Sequence, residues 1–312
     1  MVFRTYPRIG RNAESMGGTW VATEKIHGAN FVIGVIGDVV RFGTRKAWLE
    51  PAAPFFGWQL VAPELAERCR VVARETAAAQ VVCYGELYGG GYPHPDVAAV
   101  PGMAPVQTGV WYAPDVRWAM FDVLVASSDD DDGDLLAHAE IERLAAIAGL
   151  VTAPVLGRGK RDDLDRIAVS APTAIPALLG FPAIAANLRE GFVLKPDRRI
   201  AAGARPIVKR KLADFDDARF DDGPGWDPGH LGIGELEAWA LRLVNPARLA
   251  SARSKVGTDP AAIVDEVVLD VAVDLETVFA AAWRALGPDG EARVLAAVRD
   301  RAQSTFSVNV PE

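Results

Sequence analysis

The feature that most constrains this chain is a change of texture at Lys211. Before it, from Thr19 onward, short runs of valine, isoleucine and aromatic residues are broken by glycines; after it, longer stretches of helical periodicity open at prolines. Phe31 to Phe42 reads as a hairpin turning at Gly37-Asp38, and strands are expected at Gln80–Leu87, Val116–Val125, Gly191–Lys195 and 206–211. Trp58 to Ala79 reads as a helix with a Pro63 break near its start. Asp214 to Gly229 has the Gly/Asp/Pro composition of a linker. Beyond it, helices are expected at 234–244, 246–255, 260–286 and 288–302. The fold class is therefore α+β, with one sheet-rich domain over 1–228 and a small all-helical domain over 229–312.

Composition narrows the function. There is no run of 18 apolar residues and no apolar stretch in Met1 to Arg11, which points to a cytoplasmic protein without a membrane span. Cys69 and Cys83 fit a reducing compartment, and two cysteines alone make no tetrahedral zinc site. The net charge of −8 argues against a polyanionic partner. Part of that acid is concentrated in Ser127 to Asp134, which reads as an exposed turn, whereas Lys195, Arg198, Arg199, Arg205, Lys209, Arg210 and Lys211 form a locally basic stretch. A basic groove on an acidic protein is compatible with both.

No P-loop, dinucleotide-binding glycine pattern or His-Glu-x-x-His zinc motif occurs; Gly157-Arg158-Gly159-Lys160 has the wrong spacing for a phosphate cradle. What remains is an ordered series of charged residues at strand ends. It begins with Glu24-Lys25-Ile26-His27-Gly28-Ala29-Asn30 and continues through Arg45-Lys46, Glu86 among glycines, Phe121-Asp122, Glu190-Gly191-Phe192-Val193-Leu194-Lys195-Pro196 and Lys209-Arg210-Lys211. A lysine at a strand end is ordinarily a solvated side chain, and each of the others has an equally plain structural reading. Taken jointly and in this order, they are more than strand ends: Lys25 reads as a nucleophile that needs partners, and a period of two puts Lys209 and Lys211 on one face.

The series resembles motifs I, III, IIIa, IV and V of the covalent nucleotidyltransferases, the superfamily of DNA ligases, RNA ligases and capping enzymes. Lys25-x-His27-Gly28, with histidine where DNA ligases usually carry aspartate, resembles the RNA ligase 2 family of phage nick-sealing and trypanosome RNA-editing ligases. Val155 to Lys160 and Leu243 to Gly257 resemble further segments of that family. Ala29 stands where the family often has threonine.

The resemblance implies an antiparallel-sheet, ATP-grasp-like nucleotidyltransferase domain followed by a helical domain that engages RNA. It implies an ATP-dependent RNA ligase of RNA repair, sealing 3′-OH and 5′-phosphate ends, especially nicks in duplex RNA or an RNA/DNA hybrid, as a monomer. Lys25 would carry AMP, with His27, Lys209 and Lys211 assisting catalysis. Glu24, Ile26, Asn30, Arg45, Glu86, Phe121, Glu190, Lys209 and Lys211 would bind the nucleotide, Phe121 by stacking on adenine. Glu86 and Glu190 would hold Mg²⁺ or Mn²⁺, Arg45 and Lys46 would meet the substrate, and Asp122 would meet the substrate strand or serve as a positioning residue. Lys209 and Lys211 would also repel a nearby ammonium and so favour a neutral Lys25. A DNA ligase or RNA guanylyltransferase on the same framework is disfavoured by the helical C-terminus, since both usually append an OB-fold. A catalytically inactive nucleic-acid-binding relative would have no need of the nucleophile and both carboxylates.

Overall fold

The β-branched runs pair into two antiparallel sheets, because each alternates or fills both faces with apolar side chains. In the computed structural model, which describes residues 1–10, 16–212 and 231–308, strands β1 (Trp20–Lys25), β7 (Val155–Gly159), β8 (Gly191–Pro196) and β10 (Val208–Lys211) form one sheet in the order β10-β8-β1-β7. Strands β2 (Ala29–Ile36), β3 (Val39–Thr44), β4 (Gln80–Gly91), β5 (Ala113–Ala126), β6 (Asp134–Leu135) and β9 (Ile200–Ala201) form the other, in the order β3-β2-β4-β5-β6-β9.

The hairpin turns at Gly37, whose φ of 54° suits the turn. The helix expected from Trp58 begins instead as one 3₁₀ turn, Trp58–Leu60. Helix α1 (Ala62–Thr76) starts only where Pro63 can occupy the first turn without losing a hydrogen bond. Leu65, Cys69 and Val72 of α1, together with Ile141 and Leu144 of α2 (His138–Ala148), cover Phe31, Ile33, Val81, Cys83 and Val123 on the outer face of the larger sheet. Val82, Tyr84 and Leu124 face the other way, into a second cluster with Tyr6 and Ile207.

β5 carries one irregularity that bears on the shape of the inner face. Tyr84 pairs with Asp122 but Gly85 pairs with Met120, so Phe121 is the extra residue of a β-bulge. Met120 and Val123 keep to the helix-covered face, while Phe121 packs into the inner cluster and Asp122 hydrogen-bonds Tyr6 there. Gly85 admits this local packing, since a Cβ there would fall 2.1 Å from the Trp118 indole.

The chain divides into two compact units, Met1–Trp226 and Asp227–Glu312. The stretch read as a linker, 214–229, lies outside the described residues. The first unit also holds the short helices α3 (Arg161–Leu164) and α4 (Ile175–Leu178); in the second, helices α5 (Ile233–Leu243), α6 (Pro246–Val256), α7 (Pro260–Val278), α8 (Ala280–Ala285) and α9 (Gly287–Val308) agree with the expected all-helical texture, and no strand occurs among its described residues. Asn245 and Asp259 cap α6 and α7 by accepting from the N–H groups of Arg248 and Ala262, and a proline follows each. The single helix expected over 260–286 is broken at Phe279, whose side chain turns inward against Trp239 at 5.8 Å between ring centres. The α+β class with a helical C-terminal unit is thus the observed one. No helix among the described residues is long and apolar enough to cross a membrane.

Candidate active site

β1 belongs to one sheet and β2 to the other, so the chain crosses between sheets in the short connection Ile26–Gly28. That crossing puts Lys25, the last residue of β1, at the seam. A cleft of about 320 Å³ opens there, and both sheets line it: Glu24, Lys25 and Ile26 from β1 and its exit, Asn30 from β2, Arg45 beyond β3, Glu86 from β4, Phe121 from β5, Glu190 beside β8, and Lys209 and Lys211 from β10. Ten of the thirteen residues named from sequence therefore converge on one cavity. Gly28 makes the crossing tight enough, because a Cβ there would lie 2.0 Å from the Leu87 carbonyl oxygen.

Lys25 pairs in register with Gly191, which brings Glu190 alongside it. The Lys25 Nζ donates to Glu190 Oε2 at 2.7 Å, and His27 Nδ1 lies 3.4 Å from the same oxygen. Burial raises the Glu190 carboxyl, but His27 and Lys25 outweigh it and hold the group below the ordinary glutamate range. Glu86 behaves oppositely. Burial pushes its carboxyl up to about 8; Lys25 opposes that shift and the neighbouring Glu190 adds to it. Two carboxylates that share a cleft and penalise each other's charge are a natural site for a dication. Asn30 Oδ1 is buried and without a hydrogen-bond partner, a third oxygen suited to a hard cation or its water. Among the described residues no cluster of three or more His, Cys, Asp or Glu groups occurs. Mg²⁺ or Mn²⁺ held here would keep waters and phosphate oxygens as its other ligands, and its contribution would be to neutralise phosphate charge.

Three expected residues do not line the cleft. His27 stands behind it, against Glu190. Lys46 is exposed in the turn after β3, where its backbone N–H donates to Thr44. Asp122, expected to meet the substrate, is fully buried. Its Oδ2 accepts from the Tyr6 hydroxyl at 2.8 Å and from Lys195 at 3.0 Å, and its Oδ1 accepts from Arg205 at 2.9 Å. The bulge at Phe121 is the reason: it sends Asp122 behind the ring instead of onto an exposed face. Lys195 also donates to the Phe121 carbonyl, so the same ammonium fixes the ring's backbone and its neighbour's carboxylate.

The basic stretch read from sequence is correspondingly divided. Arg205 is interior, Arg199 and Arg210 pair with Asp134 and Asp165, and Lys195, Lys209 and Lys211 line the cleft, Lys195 as a buried part of its wall. The aspartate run is the expected turn, with Asp131 accepting from Ser127 and Gly133, but it also anchors the N-terminal segment through Arg4, which donates to Ser128 O at 2.8 Å.

That N-terminal segment carries pocket residues no motif announced: Tyr6, Pro7 and Ile9 line the cleft. Tyr6 packs edge-on against Phe121 at 5.1 Å, and Gly10 joins the segment to β10 through hydrogen bonds with Ile207 and Lys209. Glu24, immediately before Lys25, has its carboxylate taken by Thr173 Oγ1 and by Ala174 N at 2.9 Å. Burial nevertheless raises its pKa.

Set against known proteins, the sheet-rich part is where similarity concentrates: the RNA ligase family profile matches residues 18–211. RNA-editing ligase 2, mitochondrial, of Trypanosoma brucei brucei is 30% identical over 299 residues, 77% of this chain and 71% of its own length. RNA-editing ligase 1, mitochondrial, from the same organism is 30% identical over 212 residues, 58% of this chain and 45% of its own. Among solved structures, an RNA ligase of Naegleria gruberi superposes with a TM-score of 0.42 at 13% identity, covering 63% of this chain and 50% of that one. An archaeal ATP-dependent RNA ligase gives 0.41 at 15% identity, over 97% of this chain and 65% of that one. On the strength of the profile and of the RNA-editing ligase 2 match, the chain belongs to the RNA ligase family and is a ligase by that membership.

Proposed function

We propose that this ligase consumes ATP and joins an RNA 3′-OH to a 5′-phosphate through an AMP adduct on Lys25. The observation that carries the reading is a primary amine held 2.7 Å from Glu190 at the mouth of a cleft that also presents an aromatic ring and two lysines. In the first step the Lys25 amine, having shed a proton, attacks the α-phosphorus; a P–N bond forms and pyrophosphate leaves. A 5′-phosphate oxygen then takes the adenylyl group from Lys25, and the 3′-OH displaces AMP to form the phosphodiester. Such transfers depend on in-line positioning and charge neutralisation more than on acid-base chemistry.

Each part of the cleft suits one of these needs. Glu190 orients Nζ, Lys209 and Lys211 carry the charge that phosphate oxygens require, and Phe121 offers a face on which a purine can stack. Arg45, exposed at the cleft rim, presents a planar fork for ribose or phosphate oxygens. A divalent cation between Glu86 and Glu190 is part of the proposal, and so are nicked duplex RNA or an RNA/DNA hybrid as substrate and a monomeric enzyme. The two buried free thiols, Cys69 and Cys83, fit a reducing compartment. The proposed compartment is the cytoplasm, although the curated relatives are named as mitochondrial.

The test is incubation with α-labelled or γ-labelled ATP, a divalent cation and a panel of nicked RNA, DNA and hybrid duplexes. Covalent label should come only from the α-phosphate, and both Lys25→Ala and Lys25→Arg should abolish it, since a guanidinium gives no neutral nucleophile. A labelled Lys25→Ala protein would remove Lys25 as the nucleophile.

A further inference from the structure

The segment that exits β1 is gripped on both sides of Lys25 by residues that belong to none of the motifs. On one side, the Glu24 carboxylate accepts from Thr173, and the Thr173 backbone N–H in turn donates to Asn187 O at 3.0 Å. On the other, the His27 backbone N–H donates to the Tyr112 hydroxyl at 2.8 Å. Tyr112 is fully buried, packed edge-on against Tyr88 at 5.4 Å and in contact with the cluster that contains Ile26. Its neighbour Trp111 is held by the Asn187 side chain in both directions: Trp111 N donates to Asn187 Oδ1 at 2.9 Å, and Asn187 Nδ2 donates to Trp111 O at 2.6 Å. Both arms therefore converge on Asn187, a buried residue three before Glu190: the Trp111 arm ends on its side-chain amide and the Thr173 arm on its main-chain carbonyl.

We propose that Asn187 is a positioning residue for the nucleophile: through Trp111–Tyr112 and through Thr173 it fixes the chain on both sides of Lys25 relative to the adjoining Glu190. The inference rests on the reading of Lys25 as nucleophile. An amide suits the task because it donates and accepts at once and so clamps both backbone groups of Trp111, which neither a carboxylate nor a hydroxyl does with the same pair of atoms. The Tyr112 phenol suits the other end. Burial holds its pKa well above the ordinary tyrosine value, so it remains a neutral hydroxyl in company with Glu24, Glu190 and Glu86. The grip matters because in-line attack is sensitive to displacements of an ångström, and Lys25 stands on a two-sheet crossing with no strand partner beyond it.

The experiment measures single-turnover adenylylation across a range of ATP concentrations, with thermal melting alongside. Tyr112→Phe removes only the acceptor of the His27 N–H, and Asn187→Ala cuts the same arm at its root. Each should lower the maximal rate roughly tenfold, as expected for an orphaned buried donor at a positioned nucleophile, with the KM for ATP changed less than about twofold. The double variant should be no slower than the slower single variant, because both substitutions break one connection. An unchanged maximal rate in folded Tyr112→Phe, a KM effect without a rate effect, or additive losses in the double variant would overturn the proposal. So would a loss that only tracks the unfolded fraction in both single variants. Absence of label on the wild-type protein, or its persistence in Lys25→Ala, strikes the nucleophile reading itself and is distinguished by those two controls.

Discussion

Replacing Asp122 with alanine tests how the pocket's back wall is held. The carboxylate is fully buried and is shared by Lys195 at 3.0 Å, Arg205 at 2.9 Å and the Tyr6 hydroxyl at 2.8 Å; neither cation's side chain exceeds 2% exposure. Burial pushes Lys195 down to about 8 despite the pull of Asp122, so the cluster is one in which desolvation is only partly repaid. Removing the carboxylate is nonetheless costly, because it strands two cations. Lys195 can shed its proton once its partner is gone, whereas Arg205 cannot. The penalty should therefore fall at the lower end of the range for breaking a buried pair, about 3 kcal/mol. For a unit of this size that corresponds to a fall in Tm of about 6–12 °C.

The pH dependence has a definite sign. Although burial raises it, Lys195 and Arg205 hold the Asp122 pKa below its ordinary value, so its stabilisation is present above the unfolded aspartate range and is lost as pH falls through the folded value. The gap in Tm between wild type and Asp122→Ala should accordingly narrow on acidification. Differential scanning calorimetry at pH 7 and at pH 3 measures both effects. A fall of less than about 2 °C at pH 7 would refute the argument that this carboxylate is the counterion of a buried cationic pair.

Gly28→Ala should cut adduct formation more than about tenfold while leaving the circular dichroism spectrum intact. Its Cβ, 2.0 Å from Leu87 O, must push the crossing that carries Lys25 away from β4, and a normal adenylylation rate would show that the crossing tolerates the shift. Glu190→Ala and Lys209→Ala should each lower adenylylation by about 100-fold, the scale for removing one charge-stabilising group, as read by burst amplitude and rate at saturating ATP; near-normal rates would take either residue out of the site. Residues 1–228 alone should form the Lys25 adduct yet lose nick sealing, measured on one 5′-phosphorylated duplex. Equal sealing by truncated and intact chains would refute a role for the helical unit in RNA engagement.

Much of the cleft was legible because charged and aromatic residues stand out locally against apolar strands. Lys25 ends β1, Glu190 precedes β8, Glu86 and Phe121 lie within the apolar β4 and β5, and Lys209 and Lys211 alternate along β10; antiparallel pairing brings them together. What was not legible depends on contacts between distant segments. Tyr6, Pro7 and Ile9 are an unremarkable N-terminal stretch until Gly10 is laid beside β10, and Tyr112, Thr173 and Asn187 lie in connections with no periodicity at all. The burial of Asp122 was hidden for a different reason. A one-residue bulge reverses the parity on which strand reading depends, and nothing in Ala119-Met120-Phe121-Asp122 signals it. The break at Phe279 is similar, since helical periodicity runs on through it and only the Trp239 ring shows why the chain turns.

The electrostatics of the helical unit also had to be read from structure. Arg242 of α5 and Arg248, Arg253 and Lys255 of α6 are cations on this unit, yet residues 231–308 hold eleven acids to eight bases. Arg248 pairs with Asp274, Lys255 lies 2.9–3.0 Å from Asp270 and Glu266, and Arg242 rests over the Trp239 ring. Two of the four cations thus have carboxylate partners on α7, and a phosphate would have to displace those partners. Such exchange adds little free energy at the surface, where an ion pair contributes at most about 1 kcal/mol. Contacts of this kind position a polyanion without binding it tightly. In the sheet-rich unit, by contrast, Lys209 and Lys211 face a cleft whose carboxylates are the ones a divalent cation would neutralise. The proposed ligase would then bind the reacting phosphate through the cleft and its bound nucleotide, while the helical unit supplies the positioning contacts that sealing requires. An overall charge of −8 is no obstacle to that arrangement, because the potential that matters is the local one.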